Sequence, residues 1–511
     1  MWVVVLLAGM MGMGSAMAGG DDNALPAATL ANGKDYQLNE QWHVTGLDLP
    51  YTCEWNTPRI AVKDKVLYMV SFKTNANGLE SGVTLLRFNA STGERMADLT
   101  FSGNHDGSLG KTRLNHRFES VMLDDAGNLV IAAPYNRLTM DEFKTYYDFK
   151  TPAKYIVTAL VTLNADGQTF DLAKAKNAEL PALRDEDIAK YADAYVVDGL
   201  LITGDYANDR STLTAIAYTR QSAAGISNHN EVYEWTTDNA KTYGEATITM
   251  CQRGGAGRQY QLLPLYGKYY IGNASGRYAP HVMGTENFNG ETRLNKELVV
   301  MGVDSQSQRT GSAMATFEYQ GSTMLVYADK ADAYTQTAPE ERMIRFRMVE
   351  LPTKAQLDAA YADKNAAASE TRLWDFPAKG LTGAPKVYDP DHAGYSMENT
   401  TAVCTATAEE NGVRFVDVYM MGQGQEGTGL ACYRMAPAGV ETEVVDALVA
   451  PTDTLQLVNG TLTAVDPSEV ITVYTVTGAA VATGRGTVPT STLAPGLYIA
   501  RTATATLKFA K

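Results

Sequence analysis

Between about residue 41 and residue 450, short apolar runs alternate with polar turns without a long break. Val66 to Phe72, Val83 to Phe88, Leu129 to Ala133 and Val413 to Met420 have the length and the β-branched and aromatic content of strands. Lys63-Asp64-Lys65, Asp124-Asp125-Ala126-Gly127-Asn128, Gln320-Gly321 and Asn411-Gly412 separate such runs and carry turn chemistry. The order strand, tight turn, strand, variable loop, third strand and Gly-containing turn recurs. Copies open near Arg59, Ser120, Ala194, Tyr260, Ala313 and Thr401. In the third, Ala194 to Val197 is expected to turn at Asp198-Gly199 into Leu200 to Gly204. Leu183 to Ala192 and Lys354 to Ala368 have helical composition and fall between copies, as insertions.

This pattern predicts an all-β chain whose body, 41–450, is a β-propeller of about six irregular blades. A β-sandwich pair or a β-solenoid is the alternative. Asp124 to Ile131 resembles the first two strands of a blade in many propeller families, and Leu86 to Gly93 resembles a third strand with its exit turn. Trp42 to Gly46, ahead of the first copy, is expected to supply an outer strand that closes the ring.

The last forty residues have their own pattern. Val470 to Val476 alternates as a half-buried strand, Thr477-Gly478 is a turn, and Ala479 to Thr483 starts a second strand. Leu493 to Ile499, with the turn pair Pro495-Gly496, gives a third, and Leu507 to Lys511 a fourth. The set Tyr474, Gly478, Pro495, Gly496, Tyr498, Lys508 and Lys511 resembles the C-terminal sorting domain of type IX secretion cargo in Bacteroidetes, over 454–511. The resemblance implies a small β-sandwich, the type IX secretion machinery as partner, and passage through the periplasm to the outer-membrane surface or the medium. It implies no activity.

The front end changes the picture in the same direction. Trp2 to Met13 is apolar and uncharged, and Ala16-Met17-Ala18 offers a small-x-small cleavage pattern, so 1–18 is expected to be a secretory signal peptide. The formal net charge is −15. The tail from Pro451 carries Arg485, Arg501, Lys508 and Lys511 against Asp453, Asp466 and Glu469, which is +1 and leaves −16 for the rest. An acidic body argues against nucleic acid as a partner.

Candidate chemistry is sparse. The four cysteines form no Cys-x-x-Cys pair, and the six histidines lack ligand spacing, so no metal and no cofactor is expected. Cys404 and Cys432 fall in one repeat, on strands expected to be neighbours, and in an oxidising compartment they are expected to form a disulfide. Nucleophile-elbow, zincin and phosphate-loop motifs are absent, and no catalytic residue is assigned. Asp389 to Gly394 is read as a turn rather than a calcium loop, and Arg253 to Gly257 as a plain loop. The loops between second and third strands should emerge together. Tyr146, Tyr147, Tyr206 and Tyr278, with Arg137 and Arg277, are the candidate ligand-binding residues there, because Tyr and Arg serve as interface anchors. The sequence thus leads to an exported, surface-attached propeller acting as a binding or scaffold module for an extracellular glycan or protein. A propeller hydrolase or lyase acting on glycan or peptide, and a structural surface protein or adhesin, are the alternatives.

Overall fold

A computed structural model describes residues 16–18, 25–47, 60–74, 80–102, 120–134, 155–163, 170–180, 195–221, 227–236, 247–251, 259–274, 280–288, 291–301, 313–330, 344–363, 365–377, 401–410, 412–424, 427–439, 455–458, 461–464, 466–475, 480–494, 497–502 and 506–510. The chain divides into two compact units, the larger running essentially to Thr442 and the smaller from Glu443.

Among the described residues, the larger unit is all-β apart from one helix and one 3-10 turn. Its first strands are β1 (Ala16–Ala18), β2 (Ala28–Thr29) and β3 (Asp35–Leu47). Four antiparallel strands then follow as a meander: β4 (Ile60–Lys63), β5 (Val66–Thr74), β6 (Glu80–Asn89) and β7 (Leu99–Ser102). The next meander is β8 (Ser120–Leu123), β9 (Leu129–Pro134), β10 (Tyr155–Leu163) and β11 (Phe170–Leu180). The third is β12 (Tyr195–Asp205), β13 (Arg210–Gln221), β14 (Ser227–Thr236) and β15 (Thr247–Cys251). The fourth is β16 (Gln259–Leu265), β17 (Tyr269–Ala274), β18 (His281–Phe288) and β19 (Glu291–Val300), with a parallel bridge to the third between Met250 and Arg293. The fifth is β20 (Met314–Tyr319), β21 (Ser322–Lys330), β22 (Ile344–Glu350) and β23 (Thr371–Pro377). The last has β24 (Thr401–Glu410), β25 (Val413–Gly424) and β26 (Gly427–Pro437) from the chain's end of the unit, and β3 as its fourth strand.

β3 pairs antiparallel with β26, from Leu47 opposite Thr428 to Tyr36 opposite Pro437. A strand from the start of the chain therefore completes a sheet begun some 350 residues later. Trp42 makes this join hold. Its ring is 1% exposed, its indole N–H donates to the Ala90 carbonyl at 2.9 Å, and it packs with Tyr419, Cys432 and Phe88.

Each pair of successive meanders shares an apolar core. Tyr68 and Leu85 pack with Val121 and Ile131. Val130 and Ala132 pack with Leu213 and Trp235, and Val232 packs with Leu262 and Met283. Leu263 and Ile271 pack with Leu325 and Val349, and Val326 and Met348 with Val418 and Met435. Trp42 and Met421 pack with Leu67 and Leu86. The first strands follow the same order: β4 contacts β8, β8 contacts β12, β12 contacts β16, β16 contacts β20, β20 contacts β24, and β24 contacts β4. Leu325 to Ala328 and Val416 to Met421 are buried on both faces of their sheets, so these strands read as near-continuous apolar runs rather than alternating ones.

Two expectations are corrected. Asp198-Gly199 is a bulge inside β12, opposite the Ala217–Ile216 step, and not a turn. Lys354 to Ala368 is helical only over α1 (Lys354–Ala362), opened by a reciprocal Thr353–Gln356 capping box and closed at Asp363. The helix expected over 183–192 lies outside the described residues.

The smaller unit has two sheets. β27 (Leu455–Val458), β28 (Thr461–Ala464) and β31 (Thr487–Pro489) form one. β29 (Val470–Thr475), β30 (Ala480–Arg485), β32 (Leu497–Arg501) and β33 (Thr506–Ala510) form the other, in the order β30-β29-β32-β33. Leu455 and Leu462 from the first and Ile471, Val473, Tyr498 and Ala500 from the second share one core.

Candidate functional site

Antiparallel meanders send their connections alternately to two ends. The first-to-second turns and the third-to-fourth connections lie at one end. At the other end the second strands close and the third strands open, with 75–79, 135–154, 222–226, 275–280, 331–343 and 425–426 between them in sequence. The first-to-second turns are short. Asp64 and Lys65, and Gln320 and Gly321, are consecutive pairs with φ between 50° and 88°, which is the backbone of tight two-residue hairpin turns, and Tyr266 and Gly267 open a three-residue one between Leu265 and Tyr269 in the same way. Connections of widely varying length leave from both ends, 351–370 with α1 from the first and 135–154 from the second, and the candidate ligand residues are expected at the second.

Of the residues expected there, Tyr146, Tyr147, Tyr278, Arg137 and Arg277 lie outside the described residues. Tyr206 does not belong with them. Because β12 is continuous, Tyr206 follows a first strand and sits in the 3-10 turn Tyr206–Asn208, at the opposite end. Its side chain is fully buried. Its N–H donates to Asp124 Oδ2 at 2.7 Å, its carbonyl accepts from Lys176 Nζ at 3.2 Å, and that ammonium lies 4.2 Å from the ring centroid. It is a packing residue, and a ligand could not reach it.

The polar network around Tyr206 is the most developed among the described residues. Asp124 Oδ1 accepts from the Asn128 N–H, and its Oδ2 accepts from the Asn128 amide as well as from Tyr206. Asp125 Oδ2 accepts from the Gly204 N–H at 2.7 Å. Asp205 caps the 3-10 turn and accepts from Arg210 and Asn208; the Asn208 side chain is the main reason its carboxyl is held below the usual range. Lys176 also pairs with Asp209 at 2.5 Å. Every carboxylate here is engaged by donors, so the cluster locks the second meander to the third and offers no base. The Asx-type spacing Asp124…Asn128 carries this turn in the sequence; Lys176, fifty residues on, gives no such signal.

A second ionic group lies in the sheet completed by β3. Arg434 forks onto Asp417 at 2.7 and 2.9 Å, with Glu410 at 3.5 Å. Burial opposes its charge, and the Asp417 hydrogen bonds outweigh that and raise its pKa. Glu40 accepts from the Tyr433 hydroxyl and pairs with His43 at 2.6 Å.

The expected disulfide is overturned. Cys404 and Cys432 are both free. They lie on β24 and β26, with β25 between them, and both stand in register with Tyr419. Two strand spacings separate their Cα atoms by roughly 10 Å, beyond the about 7 Å a disulfide spans. Burial pushes both thiols up in pKa.

Among the described residues, no group of three or more His, Cys, Asp or Glu could hold a metal ion. Arg253 to Gly257 and Asp389 to Gly394 lie outside them. So do Gly478, Pro495, Gly496 and Lys511 of the tail. Tyr498 is buried and donates to the Ala494 carbonyl at 2.9 Å, while Tyr474 is half-buried opposite Ile499, whose other partner is Lys508. No helix among the described residues is long and apolar enough to cross a membrane.

No family model matches the chain, and no curated protein does. Among solved structures, it is similar to an α-L-arabinanase of Penicillium chrysogenum at 11% identity, over 83% of this chain and 98% of that one, with a TM-score of 0.37. An exo-β-1,3-galactanase of Clostridium thermocellum is similar at 9% identity, over 81% and 82%, with a TM-score of 0.33. A polysaccharide lyase is similar at 10% identity, over 96% of each chain, with a TM-score of 0.24. Likenesses this distant say nothing about activity.

Proposed function

We propose that the chain is an exported six-bladed β-propeller that binds an extracellular glycan or protein through one end of its ring, and that 454–511 is a β-sandwich sorting domain delivering it by type IX secretion to the cell surface. One observation supports the binding reading: the first strands contact one another in turn, from β4 through β24 and back to β4, an order in which the second-to-third connections are expected to share one end. A ring with β3 as its fastening strand is a rigid frame, and loops on a rigid frame are where recognition residues concentrate. Tyr146, Tyr147, Tyr278, Arg137 and Arg277 belong to such loops by their sequence positions.

The test uses a panel of purified polysaccharides, arabinan and β-1,3-galactan among them, in affinity electrophoresis and in an assay for released reducing ends. Retention without release is expected. Replacing Tyr146, Tyr147 and Tyr278 by Ala should weaken retention by about 1–2 kcal/mol per ring, whereas Tyr206→Ala should lower the melting temperature instead. Unchanged retention by the triple variant would sink the binding face, and steady release of reducing ends would favour the hydrolase alternative. For export, removal of 454–511 should leave folded protein in the periplasm; the truncated chain reaching the surface in normal amount would refute the sorting role.

A further inference from the structure

We propose that the outer face of the four-stranded sheet in the smaller unit docks an acidic protein surface. The core fixes which positions face outward. Ile471, Val473, Tyr498 and Ala500 are buried between the two sheets. The alternate positions on the same strands, Val470, Tyr474, Ile499 and Arg501, therefore lie on the other face. The register carries the same face across β30, because Val470 stands opposite Arg485 and Thr472 opposite Thr483. Val481 is the extra residue of the bulge between the Val473 and Tyr474 pairs, and it too is exposed. Lys508 is in register with Ile499.

Two properties distinguish this face. Positions 470, 472, 474, 481, 483, 485, 499 and 501 include two Arg but no Asp or Glu, in a chain of net charge −15. The face also leaves apolar surface in water. Of the four large hydrophobic residues exposed among the described residues, Met96, Val300, Val470 and Val481, two lie on this one small sheet, at 45% and 44% exposure. Apolar side chains flanked by Arg and Tyr match the make-up of protein interfaces, where burial of the valines supplies affinity and the cations select an acidic patch. A hydrated polysaccharide would not cover the valines, so a protein is the better occupant.

The inference does not need the segment to be an export signal, and its experiment is read separately from the deletion of 454–511. A photo-cross-linking phenylalanine analogue is placed at Val481 in the full chain, in cells that make the protein, with Val300 as an exposed control on the larger unit. The expected result is one discrete protein adduct from position 481, absent from position 300, whose cross-linked peptide lies in an acidic stretch. Arg485→Glu with Arg501→Glu should cut the adduct at least tenfold while the melting temperature stays unchanged. Arg485→Gln with Arg501→Gln serves if the reversal unfolds the unit. No adduct above the control, an adduct to polysaccharide or lipid, or an adduct that survives removal of the charges would overturn the proposal.

Discussion

Single residues in this chain do their work through burial and backbone shape. Gly93 has φ of +74°, and a Cβ there would sit 2.5 Å from the Trp42 ring. Gly93→Ala should therefore destabilise the larger unit by about 2–4 kcal/mol in denaturant titration, from left-handed strain plus overpacking. Tyr319 shows the same logic in its titration. It is buried, donates to the Arg414 carbonyl at 2.8 Å, and burial pushes its pKa up to about 12. A hydroxyl whose folded pKa exceeds its unfolded value contributes stability at low pH. That contribution is complete below about pH 10 and is lost as pH rises towards about 12. Tyr319→Phe should flatten part of the loss in a series of melts across that range. The thiols of Cys404 and Cys432 should resist alkylation in the folded protein and react fully in denaturant. Their linkage in a non-reduced peptide map would contradict the register. The sequence already put the strand of Val413 to Met420 between these cysteines in chain order; only the pairing shows that this strand also separates theirs in the sheet.

At the scale of elements, the question is what fastens each one. β3 is held to β26 by a backbone ladder and by Trp42, so Trp42→Ala should cost about 3–5 kcal/mol and loosen the last meander first. Hydrogen exchange would read this as lost protection across Tyr36–Val44 and their partners in β26 ahead of the other sheets. The helix α1 is fastened differently. Thr353 caps it, and Asp358 receives Lys268, Lys354 and the Tyr269 hydroxyl. Thr353→Ala should cost about 1 kcal/mol. The Lys268 hydrogen bond is the first reason the Asp358 carboxyl is held well below the usual range. Most strands were legible because apolar runs between Gly, Asn and Asp turns have few other solutions. β12 was not. Asp198-Gly199 is good turn chemistry, but the pairing of Gly199 with Ile216 and of Val197 with Ala217 absorbs the extra residue as a bulge. That pairing depends on β13, which the local sequence does not contain.

The molecule as a whole consists of two units with separate cores. The apolar cluster of the smaller unit contains no residue from before Leu455. Removing 443–511 should therefore leave the thermal transition of the larger unit within about a degree or two of its original position by calorimetry. A large shift would show that the units stabilise each other.

The sequence by itself determined the all-β class of the chain, the recurrence of turn-bounded strands, and a tail with a pattern of its own. These follow from local rules: strand-length apolar runs, turns that need Gly, Asn or Asp, and the alternation of faces. Only the tertiary structure decided which of these side chains are packed against another sheet. Tyr206 shows the difference. In sequence it is an aromatic in a loop, like Tyr146 or Tyr278. In the fold it lies under Lys176 with its N–H on Asp124, because a bulge moved the turn to the other end of the strand. A shift of one connection reverses the end at which every later residue of that loop emerges, and only long-range pairing fixes that connection.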